Sequence, residues 1–339
     1  MSRSWSRSRR ELTLLAVALL AAACGGHGQP RVVGHYLVYS RNYDTVRGPS
    51  IVLARVDGSS VHTIAHGQDA VLSPDGRWVA FDVDAYRGRG SIYKVFVVST
   101  RGGEPRALAR TDSWPVWSPS SDRIVTYKGN ALVSIDLHGR VTVLDARSGG
   151  GDFAFSPDGR WVAYIWAPET SDTSDLYLVR TSGGDRRFVT HDAGSPVWGK
   201  DWIAFVSRGG VWRIRPDGTG RHLVLPGPRQ PNSYNIVGYF PVAWTPDEKT
   251  LLGQIATPHA WDVGIRIDVV TGRFSHVLGY PISLSRDGRF ALVEGGRPTG
   301  GPNSSGRLPP EKIWALPFGH RGRPRVLARG VVCCPSWNR

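Results

Sequence analysis

Residues 71–81 read VLSPDGRWVAF and residues 154–164 read AFSPDGRWVAY. Each is a short apolar stretch, a tight turn and a second apolar stretch that alternates as a strand does. The turn chemistry is specific: Pro pre-sets φ at its second position, Asp hydrogen-bonds the local backbone and Gly tolerates positive φ. Variants of the unit recur as VWSPSSDRIVTY (116–127), VWGKDWIAFV (197–206), AWTPDEKTLLGQ (243–254) and SLSRDGRFALV (283–293). The turn position falls at Pro74, Pro119, Pro157, Lys200, Pro246 and Arg286, giving spacings of 45, 38, 43, 46 and 40 residues. A strand-patterned repeat of this length is the signature of propeller blades.

Behind each hairpin come a third strand, a turn usually carrying Gly, and a fourth strand, as in IYKVFVVSTRGGEPRALA (92–109), LYLVRTSGGDRRFVT (176–190), VWRIRPDGTGRHLVL (211–225) and IWALPFGHRGRPRVLA (313–328). The unit is a four-stranded antiparallel meander. Composition agrees: 41 Gly and 24 Pro favour short elements joined by turns, and 40% hydrophobic residues exclude a disordered chain. The apolar-Trp-Ser-Pro-Asp-Gly-Arg-apolar-Ala-Phe core resembles the TolB-type, WD-like propeller repeat over about residues 31–339. The aromatics before each turn (Trp117, Phe155, Trp198, Trp244) and after it (Trp78, Trp161, Trp202, Phe290) are expected to pack sheet on sheet. Trp337 aligns with Trp117, and Gly34 to Tyr39 aligns with Gly76 to Phe81. A strand at about 331–337 should therefore be the innermost of a blade whose other strands come from residues 35–67, closing the ring. The expected fold is an all-β propeller of about seven four-stranded blades, within a range of six to eight, over residues 33–339.

Residues 1–10 are basic and polar, and Leu12 to Ala23 form a twelve-residue apolar run. A bilayer-spanning helix needs about 20 apolar residues, so the run reads as a cleaved signal over 1–23. Ala21-Ala22-Ala23 before Cys24 resembles a bacterial lipoprotein signal, which implies acylation of Cys24 and a short tether over 24–32. Ser8-Arg9-Arg10-Glu11-Leu12 also resembles a twin-arginine motif, leaving that route and general secretion both open. The expected location is the extracytoplasmic face of a bacterial membrane. Cys333 and Cys334 are adjacent, and a disulfide between neighbours is strained. Two reduced strand residues are the first reading, a vicinal disulfide the second, metal or redox chemistry the third.

Lys+Arg number 42 against 28 Asp+Glu, a net charge of +14. The arginines are scattered over turns with no block outside the N-terminus, so solvated surface is the first reading and an anionic partner the second; nucleic acid is not expected.

Blade topology places the SPDG-type and GG-type turns on one face and all other connections on the opposite face. The second face carries the length variation, at 41–50, 83–91, 167–174, 227–239, 256–262 and 295–311, and is where binding residues are expected. The candidates there are Tyr43, Asp44, Asp84, Tyr86, Arg87, Trp166, Glu169, Tyr234, Asn235, Tyr239, His259, Trp261 and Asp262, an aromatic-plus-polar mixture suited to a sugar or peptide. No GxSxG, HExxH, GxxxxGKS or calcium-loop motif occurs; Asp82-Val83-Asp84 begins like a calcium loop, but Gly88 falls one position late. His191, His259 and His276 have no metal-ligand spacing. No cofactor and no metal are expected, nor any catalytic residue. The expectation is a monomeric, lipid-tethered scaffold that binds a cell-envelope protein or glycan. The alternative is a propeller lyase or hydrolase using loop-face carboxylates or histidines.

Overall fold

The computed structural model describes residues 36–41, 49–56, 60–86, 91–147, 151–167, 173–229, 236–256, 263–285, 287–295, 312–319, 322–329 and 332–338. Within these, the side chains of 84–86, 91–93, 278, 332–335, 337 and 338 lie outside the description. The described residues form strands β1 to β28 in chain order and no helix. They build seven four-stranded antiparallel sheets, arranged in sequence as the blades of a propeller.

The innermost strands of blades 2 to 7 are β4 (Gln68–Leu72), β8 (Val116–Trp117), β12 (Phe153–Phe155), β16 (Gly194–Trp198), β20 (Gly238–Trp244) and β24 (Tyr280–Leu284). In blade 1 the sheet order is β28-β1-β2-β3, with β28 (Val332–Asn338) innermost, then β1 (Tyr36–Arg41), β2 (Ser50–Arg55) and β3 (His62–His66). The two ends of the described chain are thus zipped together, Leu37 opposite Trp337 and Tyr36 opposite Asn338. Ser336 also reaches the neighbouring blade, its Oγ accepting the Leu72 amide at 3.2 Å. The expected ring closure and the count of seven both hold.

Core packing lies between blades rather than within them. Each of the seven apolar clusters joins two successive sheets; one holds Leu251, Ile255, Ile265 and Ile267 of blade 6 against Ala204, Val211 and Val224 of blade 5. The aromatics before the turns are buried as expected: Trp117, Phe155, Trp198 and Trp244. Two of them staple blades together by a buried indole hydrogen bond, Trp117 Nε1 to the Val71 carbonyl at 2.9 Å and Trp244 Nε1 to that of Val197 at 3.1 Å. Burying so large a ring while satisfying its only donor explains why Trp stands there. The aromatics after the turns, Trp78, Trp161, Trp202 and Phe290, are only half-buried.

One expected loop is instead strand. β5 (Trp78–Tyr86) and β6 (Ser91–Ser99) each run nine residues and stay paired to Tyr86 opposite Ser91. Alternating apolar residues continue past the usual strand end, and Tyr86 and Tyr93 favour extended backbone.

Candidate functional site

The two faces are built differently. On the face of the tight turns, Ser156 Oγ donates to Asp158 at 2.6 Å while the Arg160 amide donates to the same oxygen at 3.0 Å. Asp75, Asp247 and Asp287 close their turns in the same way. These carboxylates are spent on their own backbone.

On the opposite face the inner strands are irregular. The pairing of β4, β16, β20 and β24 with their neighbours slips at Gln68/Val71, Gly194/Val197, Pro241/Ala243 and Pro281/Ser283. These slips lie at one height around the ring, and bulges of this kind re-aim side chains. Two of them hold non-glycine residues at positive φ, Asp69 at 49° and Ser195 at 45°. At the same height the second strands carry buried polar side chains, Ser40, Asp82, Tyr127 and Gln254. A polar layer therefore underlies this face, between the apolar clusters and the loops.

The layer is best developed between blades 3, 4 and 5. Ser195 Oγ, turned by its bulge, donates to Asp152 Oδ2 at 2.8 Å. Burial pushes the Asp152 carboxyl up to about 6, against the pull of the Ser195 hydroxyl and amide. Tyr127 stands nearby; burial, and then the charge of Asp152, raises its phenol well above the ordinary value. Further out, the Tyr164 hydroxyl donates to Asp145, whose Oδ2 also lies 3.5 Å from Arg186 Nη1. The Arg186 guanidinium sits 4.6 Å from the ring centres of both Trp166 and Tyr177. From there an aromatic strip runs along blade 4: Trp166 edge-on to Tyr177, Tyr177 edge-on to Phe188, and Phe188 4.5 Å from the His191 ring. Phe188 is 43% exposed, a large apolar ring left facing solvent. His191 Nδ1 lies 3.1 Å from Asp175.

A second cross-blade group adjoins it. Ser207 Oγ and Arg208 Nε donate to Asp192 Oδ2 at 3.0 and 3.2 Å, and Arg221 Nη1 donates to Thr190 Oγ1 at 2.7 Å and to the His191 carbonyl at 3.1 Å.

Of the residues expected to bind, Trp166 is the one whose side chain lies in the blade 4 aromatic strip, against Arg186 and Tyr177. Tyr239 is the second residue of β20, only 8% exposed and packed among the apolar residues between blades 5 and 6, with Phe274 at 5.4 Å. Asp84 and Tyr86 lie on β5 rather than in a loop, their side chains outside the description. Tyr43, Asp44, Arg87, Glu169, Tyr234, Asn235, His259, Trp261, Asp262 and the lipidation candidate Cys24 lie outside the described residues. Cys333 and Cys334 are on β28 as backbone alone. His191 belongs to the blade 4 strip, His276 lies on β23 (Phe274–Leu278) of blade 6, and no group of three His, Cys, Asp or Glu among the described residues could hold a metal. Sequence reasoning missed Asp145, Asp152, Tyr177, Arg186, Phe188 and Ser195. Each lies at a strand end or in a strand, where the repeat pattern marks only packing.

No family model matches the chain. A curated relative, the uncharacterized peptidase YuxL of Bacillus subtilis, is 29% identical over a match covering 34% of this chain and 25% of that protein. The chain therefore matches about a quarter of that relative's length. TolB from Acinetobacter baumannii superposes with a TM-score of 0.53 at 15% identity, over 90% of this chain and 83% of that one. Oligogalacturonate lyase from Vibrio parahaemolyticus gives 0.55 at 15% identity, over 88% and 87%. The fold is TolB-like. Both binding proteins and enzymes of this architecture stand among its structural neighbours, so fold alone does not choose between them.

Proposed function

We propose that the protein is a membrane-tethered extracytoplasmic scaffold that binds a cell-envelope protein or glycan on its loop face. The observation that carries this reading is the strip of Trp166, Tyr177, Phe188 and His191 with Arg186 between the first two rings. Exposed aromatic faces supply contact area at low entropic cost, and an arginine held by Asp145 supplies oriented donors. Most loop-face carboxylates around the strip are already engaged by hydroxyls or arginines across blades, as structural pairs are. The test is photo-crosslinking from position 188 in the intact protein within its native envelope. A discrete adduct that falls at least about tenfold in W166A/F188A is expected. No adduct, or one indifferent to the double substitution, refutes the strip as a binding surface.

One observation favours the enzymatic alternative. Asp152 has a carboxyl near 6, within the range in which a carboxyl can exchange a proton close to neutrality, beside the innermost strand of blade 4. Purified protein that cleaves a uronate polysaccharide or a peptide, and loses turnover in D152N, would replace the scaffold reading with this one.

A further inference from the structure

The aromatic strip has a counterpart one blade further round the ring. On blade 4, Phe188 of the outermost strand β15 (Arg187–Thr190) stands opposite Tyr177 of the third strand. Arg186, two residues before Phe188, lays its guanidinium 4.6 Å from the Tyr177 ring centre. On blade 5, Leu223 of the outermost strand β19 (His222–Leu225) stands opposite Trp212, and Arg221, two residues before Leu223, lies 5.0 Å from the Trp212 ring centre. The acceptors that hold the two arginines correspond as well. Asp145, at the end of blade 3's outermost strand, lies 3.5 Å from Arg186, and Thr190, at the end of blade 4's, accepts from Arg221 at 2.7 Å. Phe188 and Leu223 are left 43% and 39% exposed.

The other blades lack this unit. Their equivalent residues, opposite the same third-strand position, are Thr63, Ala107, Val143, His276 and Val326. Two residues before these stand Val61, Pro105, Val141, Phe274 and Pro324, none of them a cation. Tyr177 belongs to the cluster between blades 3 and 4 and Trp212 to the one between blades 4 and 5. Two adjoining gaps therefore each present, at the outer end, one apolar side chain beside a pinned arginine. A repeat fold copies its packing residues into every blade. A unit copied into two neighbours alone points to something that spans both.

We propose that an extended peptide segment of a partner protein lies across the outer ends of these two gaps, seating one apolar side chain against Phe188 and a second against Leu223, with an acidic residue between them. This rests on the strip as a binding surface and adds a second half to it. Ring geometry selects a peptide over a glycan. Trp166 and Tyr177 stand at 86°, Tyr177 and Phe188 at 73°, and Phe188 and His191 at 48°, so no neighbouring rings of the strip share a plane on which successive sugars could stack. Arginine, tryptophan and tyrosine are also the residues that anchor protein interfaces. Charge supplies the acid: Arg221 donates to the Thr190 hydroxyl, the His191 carbonyl and the Ser207 hydroxyl, all neutral, while Asp192 beside Ser207 is taken by Arg208. Stacked sheets stand about 10 Å apart and an extended chain rises about 3.3 Å per residue, so the two apolar side chains fall at least about three residues apart.

The test pans the full chain against random dodecapeptides displayed on phage, then measures synthetic copies of the enriched peptides by fluorescence anisotropy against the parent chain, F188D, L223D and V143D. Val143 holds the same place on blade 3, 53% exposed but without the arginine, so V143D controls for an added surface charge. Enriched peptides are expected to carry two apolar residues at least about three apart with Asp or Glu between them. F188D and L223D should each weaken binding at least about tenfold, and V143D should stay within about twofold. Raising salt from about 0.1 M to about 0.5 M should weaken binding by about threefold. Loss in F188D without loss in L223D overturns the two-gap inference and leaves the strip standing as a single site. Peptides indifferent to both substitutions, or no enrichment, also overturn it, and the crosslink from position 188 then judges the strip separately. Oligogalacturonate or solubilised peptidoglycan fragments that bind the parent chain and not F188D put a glycan in the peptide's place. Circular dichroism confirms folding, and F188S or L223S, which remove the apolar contact without adding charge, replace any variant that does not fold.

Discussion

The turn face and the loop face of this propeller solve opposite problems with the same residue types. On the turn face Asp75, Asp158, Asp247 and Asp287 each close the hairpin they belong to, as Asp158 does with Ser156 and Arg160. On the loop face Asp145 binds Tyr164 and Arg186, and Asp152 binds Ser195, each pair crossing from one blade to the next. On the first face these carboxylates serve their own hairpins, and blades are linked there by other groups, as when the Asp75 amide donates to Ser121 and Arg187 to the Pro216 carbonyl. On the second face the carboxylates themselves join blades 3, 4 and 5.

The comparison breaks most completely if closure is removed. Deleting residues 332–338 takes away β28, uncovers the buried Leu37 and Val38, and leaves β1 as an open edge. Loss of the cooperative thermal transition by circular dichroism is the expected result, because each blade buries its apolar surface only against its neighbours. A transition retained within a few degrees would mean that the seven-bladed ring does not depend on this strand.

A matched pair of glycines sharpens it next. Gly67, in the connection between blades 1 and 2 at φ 155°, would place a Cβ 2.5 Å from the Asp82 carbonyl oxygen and 2.6 Å from the Phe81 ring. Gly159, in the blade 4 turn at φ 70°, would place one no closer than 3.5 Å to Pro119. G67A must therefore push two blades apart and is expected to cost about 3 kcal/mol or more in urea unfolding, whereas G159A carries backbone strain alone, about 1 kcal/mol. Equal costs would show that the blade contacts at Gly67 yield easily.

The carboxylates give a smaller contrast of the same kind. D145A leaves the Tyr164 hydroxyl and Arg186 without their shared acceptor in a half-buried slot, and about 2 kcal/mol of destabilisation is expected. D158A opens one exposed turn, and about 1 kcal/mol is expected. The same denaturation series measures both. A D158A cost above that of D145A would reverse the assignment of local and shared roles.

The sequence made the repeating part of this molecule legible and left the exceptions hidden, for a physical reason. Period, turn residues and aromatic positions are local, so seven blades, ring closure between about 331–337 and residue 35 onward, and the sorting of loops by face could all be read from one chain. Asp69 and Ser195 at positive φ carry no glycine to announce them. The pair Asp145 and Tyr164 is nineteen residues apart across a blade boundary, and nothing in either strand's alternation marks it. Trp166 was recognisable because it ends a strand at a variable loop, but Phe188 and Arg186 sit beside a GG turn whose residues read as turn chemistry. Tyr239 shows the reverse error, since an aromatic next to a long connection proved to be core.

Acidity separates Asp152 from the turn-face carboxylates by sign, which makes pH the last and finest probe. On the turn face the Thr245 hydroxyl and the Lys249 amide hold the Asp247 carboxyl below its usual value, and the amide and hydroxyl of Thr271 do the same for Asp268. Burial works against the lowering at Asp122, but hydrogen bonds from Arg123, Ser120 and Ser118 outweigh it and bring the group to about 2. A depressed carboxyl contributes stability that is present above its unfolded value, about 4, and is lost as pH falls through the folded value. Asp152 runs the other way: with its carboxyl near 6, the folded protein holds a proton that the unfolded chain has already released, so stability declines as pH rises from about 4 to 6 and is level beyond. The expected profile climbs from pH 2 to 4, peaks near 4 to 5, and falls by about 2 kcal/mol at most before pH 7. In D152N the acid limb should remain and the decline from 4 to 6 should vanish, as read by urea midpoints across that range. A decline that persists in D152N would place the titrating group elsewhere and return Asp152 to the ordinary carboxylates of the turn face.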